Sequence, residues 1–113
     1  STNQPVLQRQ MSITDALVIM SEGKLGVAIV LSGNKVEGLV TSGDIRRVFQ
    51  KHGSDSFKLK VEDFMTRCPV SIYDDICLAE AEEMFKQTNV QTLVVINHQN
   101  EFVGFLDYTK CSI

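Results

Sequence analysis

The chain has 113 residues, 43% of them hydrophobic and 22% charged, and eleven basic against fourteen acidic side chains leave a net charge of −3 at pH 7. That is one ordinary domain's worth of chain, and its mild acidity speaks against a strongly basic nucleic-acid module. No apolar run approaches the roughly 20 residues of a membrane helix, and long polar tails that would signal disorder are missing, so neither a nucleic-acid nor a membrane partner is expected. In chain order, Ser12-Ile13-Thr14-Asp15 reads as a capping-box-like helix start, with Ile13, Ala16, Leu17 and Met20 following at i, i+3, i+4 and i+7. Gly23 stops that helix. The β-branched density of residues 27–31 predicts a buried strand, Ser32-Gly33-Asn34-Lys35 a turn and residues 36–40 a second strand. Residues 42–51 predict a helix with Ile45, Val48 and Phe49 on one face and Gly53 just past its end. Residues 53–60 read as a polar connector. The second half predicts a helix over 76–87 with Leu78, Ala81, Met84 and Phe85 inward, then strands over 93–96 and 102–106 around a His98-Gln99-Asn100 turn.

The two halves repeat one pattern. Ile13-Thr14-Asp15-Ala16 lies over Leu78-Ala79-Glu80-Ala81, and residues 25–31 lie over 90–96, at the same offset of 65. After a one-residue shift, residues 36–40 lie over 102–106. Few letters are shared, but the order of elements is. The expected fold class is α/β (α+β): two β-α-β-β-α repeats in one module spanning 1–113. The first repeat occupies 5–52, a connector and the start of the second 53–68, and the second repeat 69–113. Units this short bury too little surface alone, since even a ~60-residue domain buries only about 60% of what its unfolded chain exposes. They are therefore expected to share one core with pseudo-two-fold symmetry.

Cys68, Cys77 and Cys111 are odd in number, widely spaced and without a C-x-x-C pair, which suits a reducing cytosol and excludes a disulfide framework. His52 and His98 complete no familiar metal spacing with these cysteines, so no metal site is expected. The four methionines read as core filler and Cys68 as a small buried or partly buried residue. Tyr73 and Tyr108 could face a pocket or a neighbouring module. No Ser/His/Asp, Cys/His or paired-carboxylate arrangement supports a catalytic site.

Two such units, the first closed by Gly38-Leu39-Val40-Thr41-Ser42-Gly43-Asp44, resemble a tandem cystathionine-β-synthase (CBS) domain pair, or Bateman module. The stretch Val61-Glu62-Asp63-Phe64-Met65-Thr66-Arg67-Cys68-Pro69-Val70 is similar to that family's opening of a second repeat. Met20-Ser21-Glu22-Gly23-Lys24-Leu25-Gly26 and Thr41-Ser42-Gly43-Asp44-Ile45-Arg46-Arg47 are most similar to the C-terminal CBS pair of D-arabinose 5-phosphate isomerases. Those enzymes carry an N-terminal sugar isomerase domain and interconvert ribulose 5-phosphate and arabinose 5-phosphate for Kdo, lipopolysaccharide or capsule synthesis. The chain has no initiator Met and no room for such a domain, so the resemblance implies the excised regulatory part of a cytoplasmic enzyme, itself without catalysis. It also implies a homodimer through the modules, within a tetrameric parent, and no required cofactor.

The resemblance further implies a small nucleotide-like ligand, an adenine nucleotide or, by pathway logic, CMP-Kdo as feedback inhibitor. Thr41, where a strand meets a helix, and the following N–H groups can receive an anion. Ser42 belongs to the same turn, Gly43 permits close backbone approach, and Asp44 offers two oxygens to ribose hydroxyls. By resemblance, Val6 and Leu7, with Gly26, Val27 and Ala28, flank the base. Arg46 and Arg47 oppose the helix dipole, and a bound anion, an acidic partner surface or acidic side chains elsewhere in the assembly would compensate them, unless they are simply solvated. Spacing alone favours reading Thr41-x-x-Asp44 as a capping box, and it is the resemblance that sets a ligand site beside that reading. In the second repeat Asp107 and Lys110 replace Thr41 and Asp44, which disfavours phosphate and ribose there. The alternatives are a ligand-free dimerisation module, or the CBS pair of an unrelated transporter or metabolic enzyme.

Overall fold

The computed structural model describes residues 4–23 and 26–111; Lys24, Leu25 and the side chains of Lys110 and Cys111 lie outside the described residues. The chain forms two compact units, Ser1–Cys68 and Pro69–Ile113. In the first, β1 (Val6–Leu7), α1 (Ile13–Met20), β2 (Val27–Ser32), β3 (Lys35–Thr41) and α2 (Ser42–His52) follow in order. A 3-10 helix (Gly53–Lys58), α3 (Val61–Phe64) and β4 (Thr66–Arg67) complete it. The sheet order is β1-β2-β3-β4, with β1 parallel to β2 and the other pairings antiparallel.

Local chemistry accounts for these elements. Ser12 Oγ accepts the Asp15 N–H at 3.1 Å and so caps α1. At the other end the Gly23 N–H returns to the Met20 carbonyl at 3.0 Å. Val27, Ala28, Ile29 and Val30 are all buried, as an aliphatic run covered on both faces should be. The buried stripe of α1 is Ile13, Ala16 and Met20. Leu17, expected inward, is 38% exposed, because it falls at the edge of a stripe centred on those three. Residues 53–60 are ordered: the Ser56 hydroxyl, fully buried, donates to the Val48 carbonyl at 3.2 Å. Met20 and Met65 sit in the core cluster with Met11 against it. Cys68 is exposed, contrary to the sequence reading, because the chain turns there at φ 51° immediately before Pro69.

The second unit runs β5 (Ser71–Tyr73), α4 (Leu78–Thr88), β6 (Thr92–Ile96), β7 (Phe102–Asp107) and α5 (Tyr108–Cys111). Its sheet order is β5-β6-β7, with β5 parallel to β6 and β7 antiparallel. Its core cluster is Ile72, Ala81, Phe85 and Leu93, with Met84 packed against it. α4 starts at Leu78, two residues later than expected, because Glu80 Oε1 accepts from the Cys77 N–H at 3.3 Å and from its thiol at 3.2 Å. Leu78 is 51% exposed rather than inward. A side chain at the first helical position points back past the helix end. The matching Ile13 is buried because segment 59–61 covers it, with the Ile13 N–H on the Leu59 carbonyl at 3.3 Å.

The repeat shows in the register. Val6 pairs with Ile29 and Ser71 with Val94, both members moved by 65. A bulge falls between Val30 and Leu31 in one unit and between Val95 and Ile96 in the other. The Ser42 N–H meets the Gly26 carbonyl at 2.8 Å, and the Tyr108 N–H meets the Gln91 carbonyl at 2.8 Å. Among the described residues no helix is long and apolar enough to cross a membrane.

Candidate functional site

The first unit brings most of the expected site to one end of its sheet. Val27 pairs with Thr41 across β2 and β3, and β1 lies on the far side of β2 with Val6 opposite Ile29. Gly26 enters β2 at φ 69°, a left-handed conformation suited to glycine. Its carbonyl takes the Ser42 N–H and, at 3.3 Å, the Ser42 hydroxyl. A Cβ on Gly26 would stand 2.9 Å from Ser42 Oγ. Gly26→Ala should therefore cost about 1–2 kcal/mol through its φ alone, measured as a lower urea midpoint, whereas Gly33→Ala tests the same φ without a neighbour to displace.

Thr41 and Asp44 form a complete capping box. Thr41 Oγ1 accepts the Asp44 N–H at 3.1 Å, and Asp44 Oδ2 accepts the Thr41 N–H at 2.9 Å. Asp44 Oδ1 takes a guanidinium N–H of Arg47 at 2.6 Å. The carboxylate is largely buried and both its oxygens are engaged, so Arg47 is paired within the protein. Arg46 and Arg47 are both exposed. Their guanidinium nitrogens lie 3.7 and 3.2 Å from where a Gly43 Cβ would stand. Gly43 stands in the first turn of α2, between the Thr41 cap and Asp44. An N–H at a helix N-terminus beneath two guanidinium groups is suited to an anion. For Asp44 to accept ribose hydroxyls, Arg47 must first swing away from Oδ1.

The apolar residues divide. Val6 is 40% exposed, whereas Leu7, Val27 and Ala28 are buried in the first unit. Their side chains build the floor, and only Val6 presents an apolar surface outward. In the second unit, the Asp107 carboxylate accepts from the Thr109 hydroxyl. Tyr108 packs edge-on against Phe85 and borders a cavity of about 350 Å³ with Lys86, Asn89 and Gln91.

One grouping escaped the sequence reading. His98, placed there only as a turn residue, bonds Asp75 at 2.8 Å, lies near Asp74 and stacks on Tyr73. A parallel β5–β6 pairing followed by a hairpin turn brings these residues together, a signal legible only once the strand register is known.

A CBS-domain family model matches residues 1–51 and 61–110. A Haemophilus influenzae protein named "Probable arabinose 5-phosphate isomerase" is 35% identical over 109 residues, covering 96% of this chain and 32% of that protein. The arabinose 5-phosphate isomerase KpsF of Escherichia coli O6:H1 is 32% identical, covering 89% and 28%. The chain thus spans about a third of the length of these relatives. Among solved structures, the CBS-pair protein CBSX2 of Arabidopsis thaliana, in complex with AMP, superposes with a TM-score of 0.82 at 25% identity, over 96% of this chain and 84% of that one. The CBS-domain protein PAE2072 of Pyrobaculum aerophilum has the same fold, with a TM-score of 0.84 at 18% identity over 96% and 83%.

Proposed function

The chain belongs to the CBS-domain family as a tandem pair, and from that premise we propose that it is a non-catalytic regulatory module that binds an adenine nucleotide in its first unit. The observation that carries this reading is the turn at the start of α2: the Gly43 N–H, Arg46 and Arg47 for phosphate, beside the Thr41–Asp44 box. Asp44 accepts the ribose hydroxyls when Arg47 leaves it for the phosphate. Val6 flanks the base, with the start of β2 from Gly26 to Ala28 as the floor beneath it. The complex of CBSX2 with AMP supports the ligand class.

The relatives named as arabinose 5-phosphate isomerases support such an isomerase as the parent enzyme, and we infer that it interconverts ribulose 5-phosphate and arabinose 5-phosphate in the cytoplasm. There the module dimerises, and a ligand shifts the attached domain only by its differential affinity for the two arrangements. CMP-Kdo is the competing ligand, as an end product acting back on the enzyme.

A thermal-denaturation panel with AMP, ATP, S-adenosylmethionine, CMP and CMP-Kdo separates these ligands. AMP or ATP at ten times its dissociation constant should add about 1.4 kcal/mol of stability. Asp44→Ala should abolish that gain while lowering the ligand-free stability by about 1 kcal/mol through the lost cap. Stabilisation by CMP-Kdo alone would replace the adenine reading. No gain from any of the five would leave the dimerisation module as the function.

A further inference from the structure

We propose that Asp74, Asp75 and His98 form a surface site for a divalent transition-metal ion such as Zn²⁺ or Ni²⁺. One oxygen from each carboxylate and one imidazole nitrogen lie within 4.8 Å of one another, and all three residues are exposed. Donors around a single ion lie at most about 4.4 Å apart, twice a bond of about 2.2 Å, so closure needs only small side-chain rotations.

The donors come from two separate segments that the second sheet holds together. Tyr73 and Ile96 are the last paired residues of β5 and β6, and the Asp74 N–H continues that ladder to the Ile96 carbonyl at 2.9 Å. His98 follows in the turn between β6 and β7. There Asn97 Oδ1 accepts the N–H groups of Gln99 and Glu101, each at 2.9 Å, and the Asn97 N–H meets the Glu101 carbonyl at 3.0 Å. The His98 ring lies nearly parallel to that of Tyr73, centroids 4.3 Å apart and planes 15° apart. Its Nε2 sits 2.8 Å from Asp75 Oδ2. The imidazole therefore has a fixed orientation with its nitrogen already aimed at the carboxylates.

Binding exchanges the hydrogen bond between His98 and Asp75 for two bonds to the ion; the Nε2 proton is released to solvent from an imidazolium, and in the neutral ring Nε2 loses its proton while Nδ1 gains one from solvent. Two carboxylates match the charge of a divalent cation, and the imidazole favours zinc, nickel, cobalt or copper over calcium and magnesium. Three protein donors leave a position for water or for a donor from another molecule.

The test uses the whole chain with Cys68, Cys77 and Cys111 changed to serine, since thiolates take the same ions. Titration with Zn²⁺ should show one equivalent bound, and the His98 ring resonances should move while those of His52 stay. His98→Gln and Asp75→Asn, at exposed positions and with folding checked by circular dichroism, should each weaken binding at least about tenfold, the lower end of what even outer-shell losses cost. Ca²⁺ and Mg²⁺ should leave the His98 ring unmoved. Zn²⁺ affinity unchanged in His98→Gln, or a His98 ring unmoved at millimolar Zn²⁺, would overturn the site.

Discussion

Leu7→Ala should destabilise the first unit by about 3 kcal/mol, in the range found when a buried leucine is truncated and the cavity does not collapse. Leu7 is fully buried although β1 contributes only two residues. It lies in one cluster with Ile13, Ala16, Ala28 and Val30, so its side chain ties a short parallel edge strand to both α1 and the sheet. Neither side can move in to fill the void: α1 is held by its Ser12 cap, and β2 is paired on both edges. Urea denaturation should show the lower midpoint. Val6→Ala on the same strand, where the side chain is partly exposed, should cost well under half as much. Equal costs at the two positions would contradict the described packing.

Gly38→Val should cost up to about 3 kcal/mol for the opposite reason, overpacking. Gly38 pairs with Val30 on one side and Arg67 on the other. A Cβ there would stand 2.7 Å from Met65 Sδ and 2.9 Å from the Thr66 carbonyl oxygen. The methionine could turn away, but the carbonyl is backbone of β4, so the edge strand itself would have to shift. The second unit supplies a matched control. Gly104 holds the corresponding place in β7 opposite Val95, and a Cβ there meets nothing within 4 Å. Gly104→Val should therefore stay within about 0.5 kcal/mol of the parent. Urea midpoints of the two variants give the comparison directly.

The contrast between the two glycines marks what a sequence can carry. The 65-residue offset aligned the repeats well enough to place the strands and helices that flank the site, and the registers of both sheets keep that offset. Hydrophobic spacing located the strands because β-branched runs leave few alternatives. It failed at Leu17, which falls at the edge of its helical stripe, and at Leu78, where burial depends on what a second segment covers. The Thr41–Asp44 spacing allowed both a cap and a ligand contact, and side-chain bonds were needed to show that the cap forms. The pairing of Arg47 with Asp44 likewise depends on rotamers that spacing cannot specify. His98 stood alone in the sequence because Asp75 is 23 residues away and reaches it only through the β5–β6 register.

Nucleotide binding at the first turn of α2 is tested by amide-resolved NMR of the whole chain titrated with AMP. Saturable shifts should centre on the N–H groups of Gly26, Ser42, Gly43 and Asp44, with the Arg46 and Arg47 side-chain resonances following, and should vanish in Asp44→Ala. Saturable shifts centred elsewhere, with the Gly43 N–H unmoved, would rule out nucleotide binding at this turn, as would no shift at millimolar AMP.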